Sequence, residues 1–253
     1  MRRKNHKPPA GAKQGFVQKQ PNNLPTGPVR TIQATYSSVT GWMWSPKNQR
    51  LVRHESLGEK RIFLALELDP SVLNYCEQPV TIPYLDEDGK KREFTPDVLV
   101  NYDPNVSKRY SVIAEIKYAS EVQDPKKWKV LKPRLQAGLN YAKANGLAFA
   151  LWTDWDLDPC HHHNAMALRT FFKGSVEPNL EAKVLQCLEK AGRTTVGALH
   201  ESLVAGGEEP RKLSCALWTL VAAAKVHADL DTTPSPHTCI WPVRRMGGAH
   251  GHV

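Results

Sequence analysis

A chain of 253 residues with 41% hydrophobic and 23% charged residues has the composition of a globular protein with an apolar core. This argues against wholesale disorder, collagen-like structure and coiled coil, and no apolar run approaches the ~18–20 residues that a membrane span needs. The basic start is followed by no apolar segment, so neither a secretory signal nor a membrane partner is expected. The five cysteines are widely spaced without a C-x-x-C pair, which argues against a disulfide framework and a cysteine-built zinc site and fits a reducing cytoplasm.

The positive charge is concentrated at the start of the chain. Ten of the 34 Lys and Arg residues lie in residues 1–54, which contain no Asp or Glu. Residues 1–30, rich in Pro, Gly, Asn, Gln and Lys, predict a disordered basic arm. A nucleic acid is the expected partner, because basic clusters release counterions from phosphates, and a solubilising tail is the alternative. The candidate DNA contacts of this arm are Arg2, Arg3 and Lys4.

Residues 31–172 alternate helix and strand signals, which predicts an α/β core. After β-type residues over 31–44, interpreted as an edge strand or an ordered strap, a helical pattern over 55–68 ends at Asp69-Pro70. Strand-like segments joined by tight turns follow, then a helix with a basic face and a short apolar strand. The predicted segments are strands over 80–85, 92–95, 96–100 and 110–117, a helix over 125–145 and a strand over 147–152.

Residues 173–243 carry a different pattern, which predicts a second domain. Three short helices over 179–192, 194–204 and 209–225 are followed by strand-like segments over 226–230 and 239–242. Three helices and a hairpin are the outline of a winged helix, a variant of the helix-turn-helix. The remaining residues, 244–253, predict a disordered tail.

Two carboxylates and a lysine follow a spacing that favours phosphodiester chemistry. Thr95-Pro96-Asp97 is followed, after 17 residues, by Glu115-Ile116-Lys117. Side chains two apart on a strand share a direction, so Glu115 and Lys117 face one way and Ile116 faces the core. A turn would bring Asp97 beside Glu115, and two carboxylates at one sheet edge suit Mg²⁺. A nearby ammonium can orient an attacking water or offset charge in the transition state.

A third carboxylate precedes these strands. Glu59 has Ile62, Phe63 and Leu66 at helical spacing, which places it on the stripe that faces the core. An inward carboxylate is costly unless it is paired or bound to metal, so Glu59 is a candidate metal ligand. Glu55, one turn earlier, is the second choice.

Together these features point to a nuclease with a restriction-endonuclease-like core. The alternative is structural: Asp97 caps a turn, and Glu115 and Lys117 form a surface pair. On the basic helix, Lys126, Lys127 and Lys129 are the candidate DNA contacts, with Lys132 and Arg134 further along it, and a solvated charged face is the alternative.

The sequence resembles TnsA, the endonuclease subunit of the two-part transposase of Tn-seven-like transposons. The resemblance covers about residues 30–240 and rests on an ordered run of motifs: the helix glutamate Glu59, Glu77-Gln78-Pro79, Thr95-Pro96-Asp97 and Glu115-Ile116-Lys117. It implies catalytic residues Glu59, Asp97, Glu115 and Lys117. Gln78 is a candidate brace for the catalytic strands, with an ordinary structural role as the alternative.

The resemblance also implies an activity and partners. These are Mg²⁺-dependent hydrolysis at the 5′ ends of a transposon by a two-metal mechanism, with Mn²⁺ as a substitute and Glu59, Asp97 and Glu115 as ligands. A TnsB-like transposase would cut the 3′ ends, and a TnsC-like ATPase would bind the C-terminal domain. The expected location is the bacterial cytoplasm, at the nucleoid. The alternatives are a stand-alone restriction or repair endonuclease and a non-catalytic DNA-binding or assembly module.

Overall fold

Residues 41–102 contain six strands and one helix. In the computed structural model, residues 27–29 and 39–244 are described. The elements in chain order are β1 (Gly41–Ser45), β2 (Arg50–His54), α1 (Leu57–Leu68), β3 (Val72–Glu77), β4 (Ile82–Leu85), β5 (Lys91–Phe94) and β6 (Val98–Tyr102). β1 with β2 and β4 with β5 form two antiparallel hairpins.

The chain continues with β7 (Val112–Lys117), α2 (Ala119–Gln123), α3 (Pro125–Ala144), β8 (Ala148–Thr153) and α4 (Pro159–Leu168). The central sheet has the order β3-β6-β7-β8, with antiparallel pairs up to β7 and a parallel β7–β8 pair. This mixed sheet flanked by helices fits a restriction-endonuclease-like core.

The central strands are apolar on both faces because a helix covers each face. Val98, Val100, Ala114 and Ile116 belong to the large core cluster that includes Phe63 of α1. The alternate residues, Leu99 and Ile113, pack with Ala142 of α3. By the two-residue period of a strand, Asp97, Glu115 and Lys117 share the α3 face, whereas α1 covers the opposite face.

The last part of the chain contains α5 (Pro178–Ala191), β9 (Thr194–Thr195), α6 (Val196–Ala205), α7 (Pro210–Ala222), β10 (Val226–Ala228) and β11 (Cys239–Pro242). Its three strands form an antiparallel sheet with the order β10-β11-β9. The large core cluster runs without interruption from Phe63 through Leu168 and Phe172 to Leu217 of α7. The division predicted after residue 172 therefore stays a prediction, since apolar packing continues across it.

Some predictions fall outside the described residues. The disordered arm over 1–30 is described only at residues 27–29, and the tail over 244–253 only at Arg244. The strap over 31–44 is described from residue 39, and its last residues form β1. In the described part of the chain, no helix is long and apolar enough to cross a membrane.

Replacing Gly138 with Ala is expected to destabilise the protein, although Ala favours helices. A Cβ at position 138 of α3 would lie 2.4 Å from Cε2 of Phe149 and 3.0 Å from Cε1 of Phe94. The gain in helix propensity is about 1 kcal/mol, whereas overpacking a filled core site costs about 1–3 kcal/mol. Urea unfolding measures the difference, with the exposed Asn140→Ala variant as the control. A more stable Gly138→Ala protein would contradict this close packing of α3 on the sheet.

Candidate active site

Asp97, Glu115 and Lys117 lie together at one end of the central sheet. Lys117 Nζ is 2.8 Å from Glu115 Oε1 and 3.5 Å from Asp97 Oδ2. It also donates to the carbonyl oxygen of Ile116 at 2.9 Å. Burial lowers the pKa of Lys117, but the two carboxylates outweigh burial and raise it overall. Lys117 is therefore a charged ammonium held between two acids.

Glu115 is the most buried acid of this group. Its residue is 2% exposed, and burial followed by the charge of Asp97 raises its pKa to about 8. Oε1 pairs with Lys117, but Oε2 is buried with no hydrogen-bond partner in the described structure. A buried carboxylate oxygen without a donor is costly, and a bound cation would satisfy it.

Asp97 is held from both its side chain and its backbone. Its Oδ2 accepts the backbone N–H of Ile116 at 2.6 Å, and its carbonyl oxygen accepts the N–H of Gln78 at 2.9 Å. Burial raises the pKa of Asp97 against the opposing effect of Lys117 and of the Ile116 N–H. Gln78 is buried with a left-handed φ of 45°, and its carbonyl oxygen accepts the N–H of Val29. Both contacts are made by the backbone of Gln78, so a bracing role for its side chain stays a prediction.

The carboxylate of Glu59 is hydrogen-bonded to residues at the N-terminus of its own helix. Its Oε2 accepts the backbone N–H of Glu55 at 2.8 Å, and its Oε1 accepts the Ser56 hydroxyl at 3.1 Å. Ser56 Oγ in turn accepts the N–H of Glu59, so the N-cap residue and Glu59 are hydrogen-bonded to each other at the start of α1. Burial and the charge of Asp97 raise the pKa of Glu59 to about 7. The inward placement predicted for Glu59 is observed, but hydrogen bonds within α1 hold its carboxylate.

The three candidate metal ligands do not form one cluster. Within residues 27–29 and 39–244, no group of three or more His, Cys, Asp and Glu side chains is arranged to hold a metal ion. Glu59 is near enough to Asp97 for that charge to raise its pKa, but its oxygens are hydrogen-bonded to Glu55 and Ser56, which leaves Asp97 and Glu115 as the two available acids. Those two carboxylates, with the unpaired Glu115 Oε2, do fit a cation that prefers oxygen ligands.

An open cleft of about 400 Å³ on the α3 side reaches this group of residues at Lys117. Lys117, Lys126, Lys127 and Arg134 line it together with Glu121, Val130 and Leu131. Lys129 is not among the lining residues, and its Nζ lies 3.3 Å from Glu87 Oε2 on the β4–β5 turn. Two of the three lysines predicted on α3 therefore reach the cleft. Arg2, Arg3 and Lys4 lie outside the described residues.

The cation-free protein is expected to lose stability as the pH rises. Glu59 and Glu115 bind their protons more tightly in the folded chain, with pKa values of about 7 and about 8 against 4.5. The free energy of unfolding therefore falls between about pH 4.5 and pH 8. The unfolding midpoint should be several degrees lower at about pH 8.5 than at pH 6.5. A divalent cation should reverse this loss, because it competes with protons for the carboxylates.

The Glu115→Gln variant separates this effect from other titrations. Glu115→Gln should reduce both the loss of stability at high pH and the stabilisation by a divalent cation. The control, Glu189→Gln at an exposed position of α5, should behave as the wild type. Differential scanning calorimetry across the pH range measures all three proteins. An unchanged pH dependence in Glu115→Gln would contradict the assignment.

Residues 69–154, about a third of the chain, match the family described as TnsA-like endonuclease N terminal. The match supports a TnsA-type endonuclease. The resemblance to TnsA is confirmed over this segment, which holds Asp97, Glu115 and Lys117 and indicates a nuclease role in transposition. Glu59 precedes the matched TnsA-like segment. None of the curated proteins compared with the chain matches it.

From the sequence, Arg134 was only one of several residues on the basic face of α3, whereas the structure places it in the lining of the cleft beside Lys117. The signal was present in the helical spacing. Arg134 follows Leu131 by three residues and precedes Gly138 by four, and both of these are buried. A charged residue on the buried stripe of a helix is a stronger candidate for a functional site than the exposed lysines that surround it.

Proposed function

We propose that the protein is the DNA-cleaving subunit of a heteromeric transposase and hydrolyses DNA at the 5′ ends of a transposon. The observation that carries this proposal is the convergence of Asp97, Glu115 and Lys117 beside a cleft lined by basic residues. Asp97 and Glu115 would hold a divalent cation, and the basic side chains of the cleft would hold the DNA backbone.

Mg²⁺, with Mn²⁺ as a substitute, is the cofactor that this donor set favours, with Asp97 and Glu115 as its ligands. When bound, it would supply Lewis-acid polarisation of the scissile phosphate. The unpaired Oε2 of Glu115 is the oxygen most in need of such a partner.

The protein's own groups orient the reaction. Lys117 is fixed by two acids and by the Ile116 carbonyl, so its ammonium can hold an attacking water and offset negative charge on the phosphate. Asp97 is immobilised through the Ile116 and Gln78 N–H groups. In a single displacement, the water oxygen would attack phosphorus and the 3′ oxygen would leave, without a covalent intermediate.

The contacts support one cation position better than two. In the two-metal mechanism, a second cation at the leaving 3′ oxygen would need Glu59 or Asp97 as its ligand. Glu59 would have to release its hydrogen bonds with Glu55 and Ser56 to take part. We therefore assign the first cation to Asp97 and Glu115 and make the second conditional on rearrangement of the α1 N-terminus.

The C-terminal elements support a winged-helix domain. A first helix, a short strand, two further helices and a two-stranded hairpin follow in order, and β9 adds a third strand to the hairpin. This is the outline of a helix-turn-helix variant with a wing. As the resemblance implies, we propose that this domain binds a TnsC-like ATPase, and that a TnsB-like transposase cuts the other strand.

DNA contacts are assigned by their place at the cleft. Lys126 and Lys127 line it and are proposed to hold backbone phosphates. Lys129, paired with Glu87, is proposed as a weaker contact. The basic arm, through Arg2, Arg3 and Lys4, would add affinity that depends on salt concentration and not on sequence.

Mapping nicks on transposon-end DNA tests the proposal. The protein is mixed with its TnsB-like partner and with DNA labelled on each strand in turn, with and without Mg²⁺. Cation-dependent nicks at the 5′ end, absent with Asp97→Ala, are the expected result. If the partner cuts its own strand and the 5′ end stays intact, the chain is a binding or assembly module. Cleavage at the same position without the partner would instead favour a stand-alone endonuclease.

A further inference from the structure

Arg134 differs from the other basic residues of the cleft. It is half-buried, and its Nε is buried without a hydrogen-bond partner among the described residues. Lys126 and Lys127 are exposed, and Lys117 is engaged by two carboxylates. Arg134 is thus the cleft residue with a buried donor still to be satisfied.

A buried guanidinium donor without an acceptor is costly, so an unsatisfied one points to an absent ligand. A guanidinium presents a planar fork of donors that matches phosphate oxygens in two parallel hydrogen bonds. The cleft is open and lies beside the acids that would hold a cation on the scissile phosphate. The acceptor that fits this place is therefore an anion on the same DNA strand.

The support under Arg134 is rigid. Leu131, Leu135 and Gly138 are buried on the same side of α3, and α3 is packed against the sheet at Gly138. The Arg134 charge also acts on Glu115 and Lys117, which places it close to the reacting groups. A guanidinium held rigidly in this way can fix the position of the DNA backbone along the cleft. Exposed, mobile lysines contribute only electrostatic attraction to the DNA.

We propose that Arg134 forms a phosphate subsite that binds the DNA backbone phosphate adjacent to the one that is hydrolysed. This rests on the proposed function, because the subsite is defined by the scissile bond. A competing arrangement pairs Arg134 with the unpaired Oε2 of Glu115, in which case Arg134 positions the acid and does not touch DNA.

Neutral phosphate analogues test the subsite. Transposon-end duplexes each carry a single methylphosphonate, moved one position at a time across the cleavage site, and binding is measured by fluorescence anisotropy without divalent cation. On natural DNA, Arg134→Ala should bind roughly 10- to 100-fold more weakly than the wild type. This is the loss of affinity expected when a hydrogen bond between charged groups is removed. On the duplex with a methylphosphonate next to the scissile phosphate, the two proteins should bind nearly equally.

Two variants control for charge and folding. Lys143→Ala removes an exposed charge from the same helix, outside the cleft lining, and its DNA affinity should fall by less than about threefold at every position. Arg134→Lys keeps the charge without the fork and should bind between the wild type and Arg134→Ala, which keeps the test valid if the alanine variant folds poorly. An equal loss for Arg134→Ala at all methylphosphonate positions, or no loss at all, would overturn the subsite.

A second measurement does not depend on nuclease activity. Inorganic phosphate, added at constant ionic strength, should shift the Nε–H resonance of Arg134 in the wild-type protein but not that of the exposed Arg211. If the wild type neither binds nor cleaves transposon-end DNA, the proposed function fails. The titration then shows separately whether Arg134 binds phosphate. An unmoved Arg134 resonance would overturn the subsite, and so would a shift in the pH profile of Glu115 as the sole effect of Arg134→Ala.

Discussion

Replacing Asp97 with Asn is expected to abolish DNA cleavage without lowering the stability of the fold. The neutral amide cannot serve as an anionic cation ligand, and Lewis-acid assistance is worth several kcal/mol, so the rate should fall at least about 10³-fold. The Asn side-chain oxygen can still accept the Ile116 N–H, which the Asp97 carboxylate accepts at 2.6 Å.

Stability should hold because two effects oppose each other. The change weakens the contact with Lys117, but it also removes a buried charge that raises the pKa values of Glu59 and Glu115. We expect the free energy of unfolding to stay within about 1 kcal/mol of the wild type. Urea denaturation and single-turnover cleavage measure the two quantities, with Asp88→Asn on the exposed β4–β5 turn as the control. Cleavage at the wild-type rate would remove Asp97 from the mechanism.

Replacing Lys117 with Met should cost both activity and stability. Lys117 is the cation that both Asp97 and Glu115 contact, and its side chain is 19% exposed. Removing one member of a buried ion pair typically costs about 3–5 kcal/mol, because the remaining charge is left uncompensated. Two acids share this cation here, and we expect a loss of about 3 kcal/mol near neutral pH.

The pH dependence of that loss identifies its cause. Without Lys117 the pKa values of Asp97 and Glu115 rise further, so the variant takes up protons at higher pH than the wild type does. Its stability deficit should therefore shrink as the pH falls. Adding Asp97→Asn to Lys117→Met should recover most of the stability and none of the cleavage, because it removes the other member of the ion pair. A deficit that is independent of pH would mean that Lys117 acts through packing alone.

The two-residue period of the strands predicted which side chains of the site share a face. It could not predict which hydrogen-bond partners each side chain has. Asp97, Glu115 and Lys117 lie together, as the two-residue period predicts. That Glu59 faces inward also followed from helical spacing. Its carboxylate, however, accepts the Ser56 hydroxyl and the Glu55 N–H, and these local hydrogen bonds satisfy an inward acid without a metal ion.

The elements that sequence reasoning missed lack a clean hydrophobic period. β3 has a bulge between Val72 and Asn74, and its Leu73 is 50% exposed, so alternation is broken. α4 holds three histidines and buries only Asn164, Ala165 and Leu168, too few for an apolar stripe. The β1–β2 hairpin was also missed, because the residues of β1 were grouped with the segment that precedes them.

Anomalous diffraction from crystals grown with Mn²⁺ shows whether Asp97 and Glu115 share a cation. We expect a manganese peak about 2 Å from a carboxylate oxygen of each residue. Asp97→Asn crystals should lack this peak. A protein that cleaves DNA with Mn²⁺ while its crystals show the ion elsewhere, or show none between these acids, would remove the shared cation from the mechanism.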